Sequence, residues 1–192
     1  MNFFVQAPPD DPWNRKVRNW QARHHLDPAA QGDSLVTESP IARKYGEFTR
    51  DLRRKVVTET VHWVQTQSRL HYRPDGTEDH WATLGEVVET GGDDCDGLDL
   101  LTFVLLRQLG FEKGELYRAI LVEAGTQQHH MVTLWFDEKG SEDPFVLDPT
   151  GVVTAELVRL SEVPDWEPIE LFDETAHYRV EVSPAPVSVA GR

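Results

Sequence analysis

Apolar residues recur at helical spacing in two long stretches of this chain. Over residues 47–67, Phe48, Leu52, Val56, Val61 and Val64 follow one another at three-, four- and five-residue steps, with Arg50, Arg53, Arg54 and Glu59 on other faces. That spacing predicts an amphipathic helix. Over Cys95–Leu109, Leu98, Leu101, Leu105 and Leu109 form one stripe, and Leu100, Phe103, Val104 and Leu106 make the segment apolar almost all round. A helix of that kind is expected to be buried. Asp93 or Asp94 can cap its start, and Gly110 suits the position after its end. Leu84–Thr90 predicts a short helix broken by Gly91-Gly92, and Tyr72-Arg73-Pro74-Asp75-Gly76 a turn.

Shorter apolar runs follow. Leu116–Glu123, His129–Asp137 and Pro144–Asp148 read as strands, separated by Ala124-Gly125-Thr126 and Glu138-Lys139-Gly140-Ser141. A further strand is expected over His177–Val182. Helices first and then a run of strands predict an α+β fold, with an antiparallel sheet packed on the buried central helix. Residues 1–39, rich in Pro, Asp and Gln with Trp13 and Trp20 as scattered anchors, read as an irregular arm. Residues 183–192 read as a flexible tail.

At 192 residues the chain fits one domain with modest extensions and can bury a core without disulfides. Its 33 acidic and 19 basic residues leave a net charge of −14. That balance argues against a nucleic-acid partner, which needs clustered Lys and Arg. No apolar run approaches the ~20 residues of a membrane span. The segment Met1–Pro9 lacks a basic start and a full apolar region, so no signal peptide is visible. The expectation is a cytoplasmic protein, or a periplasmic or secreted one if a leader has been removed. Oligomeric state is not legible.

Cys95 is the only cysteine, so an internal disulfide and a multi-cysteine metal site are excluded. It is a small buried hydrophobe or a nucleophile. Its place at the start of the central helix favours the nucleophile, because helix N-termini present free N–H groups and a partial positive charge. A thiol nucleophile needs a base, and the base an orienting group. Strand alternation puts His130 with Val132, Leu134 and Phe136, the more apolar face and the one expected to meet the central helix. His129 on the other face is the second candidate. Asp148 shares a face with Val146 and precedes Pro149; it is either the orienting acid or the start of a turn. Cys95 then attacks an acyl carbon, His130 moves its proton, Asp148 holds the imidazole, and the Cys95 N–H serves the oxyanion. Gln65 and Gln67 are candidates for a second oxyanion donor by residue type. Trp81 is either core packing or a wall of the substrate cleft.

The order Cys, His, Asp resembles the transglutaminase-like superfamily, and more closely the bacterial transglutaminase-like cysteine proteinases. The matching segments are Asp79-His80-Trp81-Ala82-Thr83-Leu84-Gly85-Glu86, Gly91–Asp96, Leu105-Leu106-Arg107-Gln108-Leu109-Gly110 and Leu147-Asp148-Pro149-Thr150. The resemblance spans roughly residues 55–151. It implies a papain/transglutaminase-like core in a catalytic domain over 40–182, with Cys95 as nucleophile, His130 as base and Asp148 as orienting acid. It implies a protein or peptide substrate, cleaved through a thioester by a protease or amidase. A protein-glutamine transglutaminase uses the same machinery, and a non-catalytic binding module retaining the fold is the remaining alternative.

The chain departs from that family where Gly-Asp-Cys-Glu-Asp is usual and Asp93-Asp94-Cys95-Asp96-Gly97 stands here. Leu84 also replaces the proline of a Trp-x-x-Pro segment. The acids around the cysteine pose a physical problem. One carboxylate ~6 Å from the sulfur disfavours the thiolate by roughly 3 kcal/mol at an effective dielectric of ~20, and a helix terminus returns only ~0.3–1 kcal/mol. A cationic His130 or a bound Ca²⁺ would offset this. No cofactor is required by the chemistry. The resemblance makes Asp94 and Asp96 the candidate calcium ligands, while Gly97 removes a third.

Overall fold

The computed structural model describes residues 6–26 and 39–181. The chain divides into two compact units, Met1–Leu52 and Arg53–Arg192. In the first, Asn14–His24 form helix α1, and Pro40 opens helix α2 (Pro40–His71). The segment expected to be an irregular arm therefore contains a helix. No residue of α1 is buried, so it carries no core-facing pattern to read. The expected tail over 183–192 lies outside the described residues.

The second unit holds the rest of α2, α3 (Leu84–Thr90), α4 (Cys95–Gln108) and one sheet. The strands are β1 (Leu116–Glu123), β2 (His129–Trp135), β3 (Phe145–Leu147), β4 (Val158–Arg159), β5 (Trp166–Phe172) and β6 (His177–Arg179). Their order is β4-β3-β2-β1-β5-β6, every neighbouring pair antiparallel. This is the α+β architecture expected from the sequence. Two strands were not legible. β4 has only two residues, and β5 contains Pro168, which cannot donate to a ladder. The ladder absorbs Pro168 at a register shift, pairing it with Leu121 of β1 just past the irregularity.

Local sequence explains the helix ends. Thr83 and Glu86 form a reciprocal capping box at α3. The Asp94 side chain caps α4 by accepting from the Asp96 N–H. At the other end of α4, Gly110 N–H bonds to Arg107 O and Phe111 N–H to Leu106 O, with Gly110 at φ +91°. That Schellman arrangement requires the left-handed backbone that glycine adopts freely.

Both faces of the sheet are covered. On one, Phe103 and Leu106 of α4 and Val57 and Val61 of α2 pack with Leu116, Trp135 and Leu147. On the other, Ala119, Leu121, Val132, Leu134 and Val146 are covered by Val153, Leu160, Val163 and Trp166. Two expectations change. The buried face of α4 is Leu98, Asp99, Thr102, Phe103 and Leu106, while Leu109 of the predicted stripe is exposed. The strand face meeting α4 is that of Thr133 and Trp135, and the Val132 and Leu134 face lies on the opposite side. β2 is buried along all of its length except His129, so counting apolar residues cannot tell its two faces apart.

Candidate active site

Cys95 opens α4 and His130 is the second residue of β2, and both line one cavity. His130 Nε2 lies 2.9 Å from Asp148 Oδ1, just beyond β3. Residues from a helix start, a strand and a loop, up to 53 positions apart in sequence, thus come together: the His130–Asp148 pair is hydrogen-bonded, and Cys95 shares its cavity with His130. His129 is exposed, and the Asp148 carboxylate goes to His130.

Asp148 is fully buried and intensively held. Oδ1 also accepts from the Thr150 N–H at 2.9 Å and the Thr150 hydroxyl at 3.0 Å, and Oδ2 accepts from Val153 N–H at 2.6 Å and Thr154 N–H at 3.2 Å. Asp148 thus accepts from the turn that follows it and also faces the histidine. Thr150 was not singled out from sequence, yet its hydroxyl lies 3.2 Å from His130 Nε2. The Leu147-Asp148-Pro149-Thr150 segment was the available signal.

Burial disfavours the imidazolium, but the hydrogen bonds to Asp148 and Cys95 outweigh it and raise His130 from 6.5 to about 9. Asp148 is also buried, which would raise it, yet its bond to His130 holds it below the ordinary carboxylate value. The pair is therefore built as imidazolium and carboxylate at neutral pH.

The acids beside Cys95 carry less charge than their number suggests. Burial, and then repulsion by Asp94 and Asp93, push Asp96 up to about 7. Burial also raises Asp93 and Asp94. Asp93 Oδ2 is buried with no hydrogen-bond partner among the described residues. It rests against Gly97, where a Cβ would stand 2.0 Å from it. The acid cluster also draws in Tyr72, read from sequence as part of a turn: Tyr72 pairs with Asp93 in an isolated bridge, and burial together with the charges of Cys95 and Asp94 raises its phenol.

The candidate calcium ligands line the thiol's cavity together with Asp79. Asp94 is turned onto the helix backbone as a cap, the Asp96 carboxyl is buried, and position 97 has no side chain. Among the described residues, no three His, Cys, Asp or Glu side chains are grouped to hold a metal ion. These donors do not fit a calcium site, and no chemical step is derived through one.

A cavity of about 370 Å³ opens on the thiol, lined by Trp81, Cys95, Ile120, His130, Met131 and Ile169 among others. A second, of about 520 Å³, shares Trp81 and Ile120 and continues along Phe172. Trp81 is 47% exposed and stacks on Phe172 at 5.5 Å, so it is a cleft wall packed on the sheet. Of the two glutamines, buried Gln65 donates to Asp148 O at 3.0 Å and Thr154 O at 3.3 Å, which removes it from the oxyanion role. Gln67 lines a different cavity, beside His71 and Leu101. The Cys95 N–H, at the first helical position, has no intrahelical acceptor and stays suited to an oxyanion. No helix among the described residues is long and apolar enough to cross a membrane.

The chain matches no protein-family model and no curated protein. Among solved structures it is similar to Legionella pneumophila LapG, with a TM-score of 0.54 and 16% identity over 85% of this chain and 87% of that one. EGTA-treated LapG gives 0.56 and 16% over 86% of each chain. Calcium-bound LapG gives 0.54 and 18% over 87% of this chain and 91% of that one. At these identities the likeness shows the fold, the transglutaminase-like α+β architecture.

Proposed function

We propose that the chain is a thiol-dependent acyl-transfer enzyme, a cysteine protease or amidase with Cys95 as nucleophile, His130 as base and Asp148 as orienting acid. The observation that carries this reading is a buried imidazole hydrogen-bonded to a buried carboxylate, in a cavity lined by both the thiol and that imidazole. The sulfur attacks the carbonyl carbon of a peptide or side-chain amide, and the thiol proton stays with His130. The tetrahedral oxyanion faces the Cys95 N–H at the start of α4. Collapse breaks the C–N bond, the imidazolium protonates the departing amine, and a thioester remains. Water, deprotonated by His130, attacks the thioester and releases the acid and the thiol. Asp148 holds the ring tautomer and stabilises the imidazolium throughout.

Iodoacetamide labelling tests the nucleophile. Cys95 is expected to alkylate faster than free cysteine at pH 7 in the wild type and to lose that advantage in His130→Ala. Labelling at the free-cysteine rate in both would sink the enzyme reading and leave a binding module. Incubating peptide substrates with and without a primary amine, and reading products by mass spectrometry, separates hydrolysis from transamidation; hydrolysis in both is expected.

A further inference from the structure

A buried arginine ties the first turn of α4 to the sheet. Arg118 of β1 and Thr133 of β2 stand opposite each other in register, and both reach Asp99 in α4. Arg118 Nε donates to Asp99 Oδ2 at 2.7 Å, and the Thr133 hydroxyl to Asp99 Oδ1 at 2.6 Å. Arg118 Nη2 also donates to the backbone oxygen of Asp96 at 2.6 Å, the residue after the nucleophile. Asp99 and Thr133 are fully buried and Arg118 nearly so. The outer side of the guanidinium lies 5.3 Å from the Phe172 ring and 6.0 Å from Trp81, the wall of the cleft.

We propose that Arg118 is a positioning residue that fixes the first turn of α4, and hence Cys95, against the strand carrying His130, so that this site is assembled without a divalent cation. The inference rests on the acyl-transfer reading for its consequence, but not for its geometry. The planar guanidinium is suited to this task because it serves a carboxylate, a carbonyl and two aromatic faces together. The ammonium of lysine would keep the charge but not the fork. Asp96 O and both carboxylate oxygens of Asp99 are tied to adjacent strands, so the first turn cannot slide along the sheet without breaking several buried hydrogen bonds. Among the described residues, Asp94 and Asp96 are not grouped with a third donor to hold a cation.

The test compares the purified protein in EGTA and in millimolar calcium, by thermal melting and by iodoacetamide alkylation of Cys95 from pH 5 to 10. Equal melting temperatures and equal alkylation profiles in the two buffers are expected. Arg118→Met should slow alkylation at pH 7 about tenfold, the scale of one lost charge-assisted hydrogen bond. Arg118→Lys should recover part of the rate. Thr133→Val, which removes only one tie to Asp99, should slow it by a smaller factor and keeps the test decisive if Arg118→Met does not fold. Calcium that raises the melting temperature or the alkylation rate overturns the proposal. So does a folded Arg118→Met, or a Thr133→Val, that alkylates like the wild type. Failure of the acyl-transfer reading shows separately, as indifference of alkylation to His130→Ala.

Discussion

His130 Nε2 and Asp148 Oδ1 stand 2.9 Å apart, with side chains 6% and 0% exposed. Charges buried this far from water persist only when paired and hydrogen-bonded. Here the pairing outweighs burial for both partners, raising the histidine to about 9 and lowering the aspartate.

The sign of that pairing sets a pH window for stability. The histidine is raised on folding, so its contribution is complete below pH 6.5 and is lost as pH rises through about 9. The aspartate is lowered, so its contribution is present above 3.8 and is lost as pH falls through its folded value. Thermal melts of wild type and His130→Ala should differ most near pH 6 and converge above about pH 9. A gap that stays constant from pH 6 to 10 would show that the imidazolium is not the stabilising species.

Gln65 couples α2 to the loop that carries Asp148. Replacing it with Leu removes one buried and one part-buried hydrogen bond and leaves the carbonyls of Asp148 and Thr154 without this donor. Stability should fall by about 1–3 kcal/mol in urea denaturation. The turnover number of a peptide substrate should fall more than its KM changes, because the loop orients His130 rather than the substrate. An unchanged denaturation midpoint would remove this coupling.

Gly97 makes room for Asp93. A Cβ at this position would meet Asp93 Oδ2 at 2.0 Å and Asp93 Cβ at 2.5 Å. Alanine would ordinarily gain about 1 kcal/mol inside a helix, but crowding of this kind costs about 1–3 kcal/mol. Gly97→Ala should therefore be destabilising, and Asp93→Gly combined with it should recover most of the loss. Stabilisation by Gly97→Ala alone would show that Asp93 moves aside freely.

Trp81 is a wall of the cleft with nearly half its surface exposed. Trp81→Ala should raise the KM of a peptide substrate several-fold through lost aromatic surface and shift the melting temperature little. A large fall in melting temperature with KM unchanged would return Trp81 to the role of core packing.

Much of this was legible in the chain. Helical periodicity, the Gly91-Gly92 break, a cap at Asp93 or Asp94 and Gly110 located α3 and α4 to within a residue, because each depends on neighbours within one or two turns. β1 was legible at both ends for a similar reason: turn residues bound an apolar run. The lone cysteine at a helix start, a histidine in a strand and an aspartate before proline nominated three residues, of which the fold pairs His130 with Asp148 and sets Cys95 in the same cavity as His130. β5 was hidden by Pro168, whose tolerance depends on the irregular pairing with β1. α1 was hidden because none of it is buried.

The inside of α4 could not be read in this way. Its leucines suggested one stripe, but the helix turns Asp99 and Thr102 inward, toward a polar layer. A buried carboxylate is favourable only if partners arrive, and those partners are Arg118 and Thr133, 19 and 34 residues away. Local spacing sets which residues share a helix or a strand. Which face is buried, and whether a cysteine among four aspartates meets its histidine, depends on charges and hydrogen bonds brought together only when α4 docks on β1 and β2.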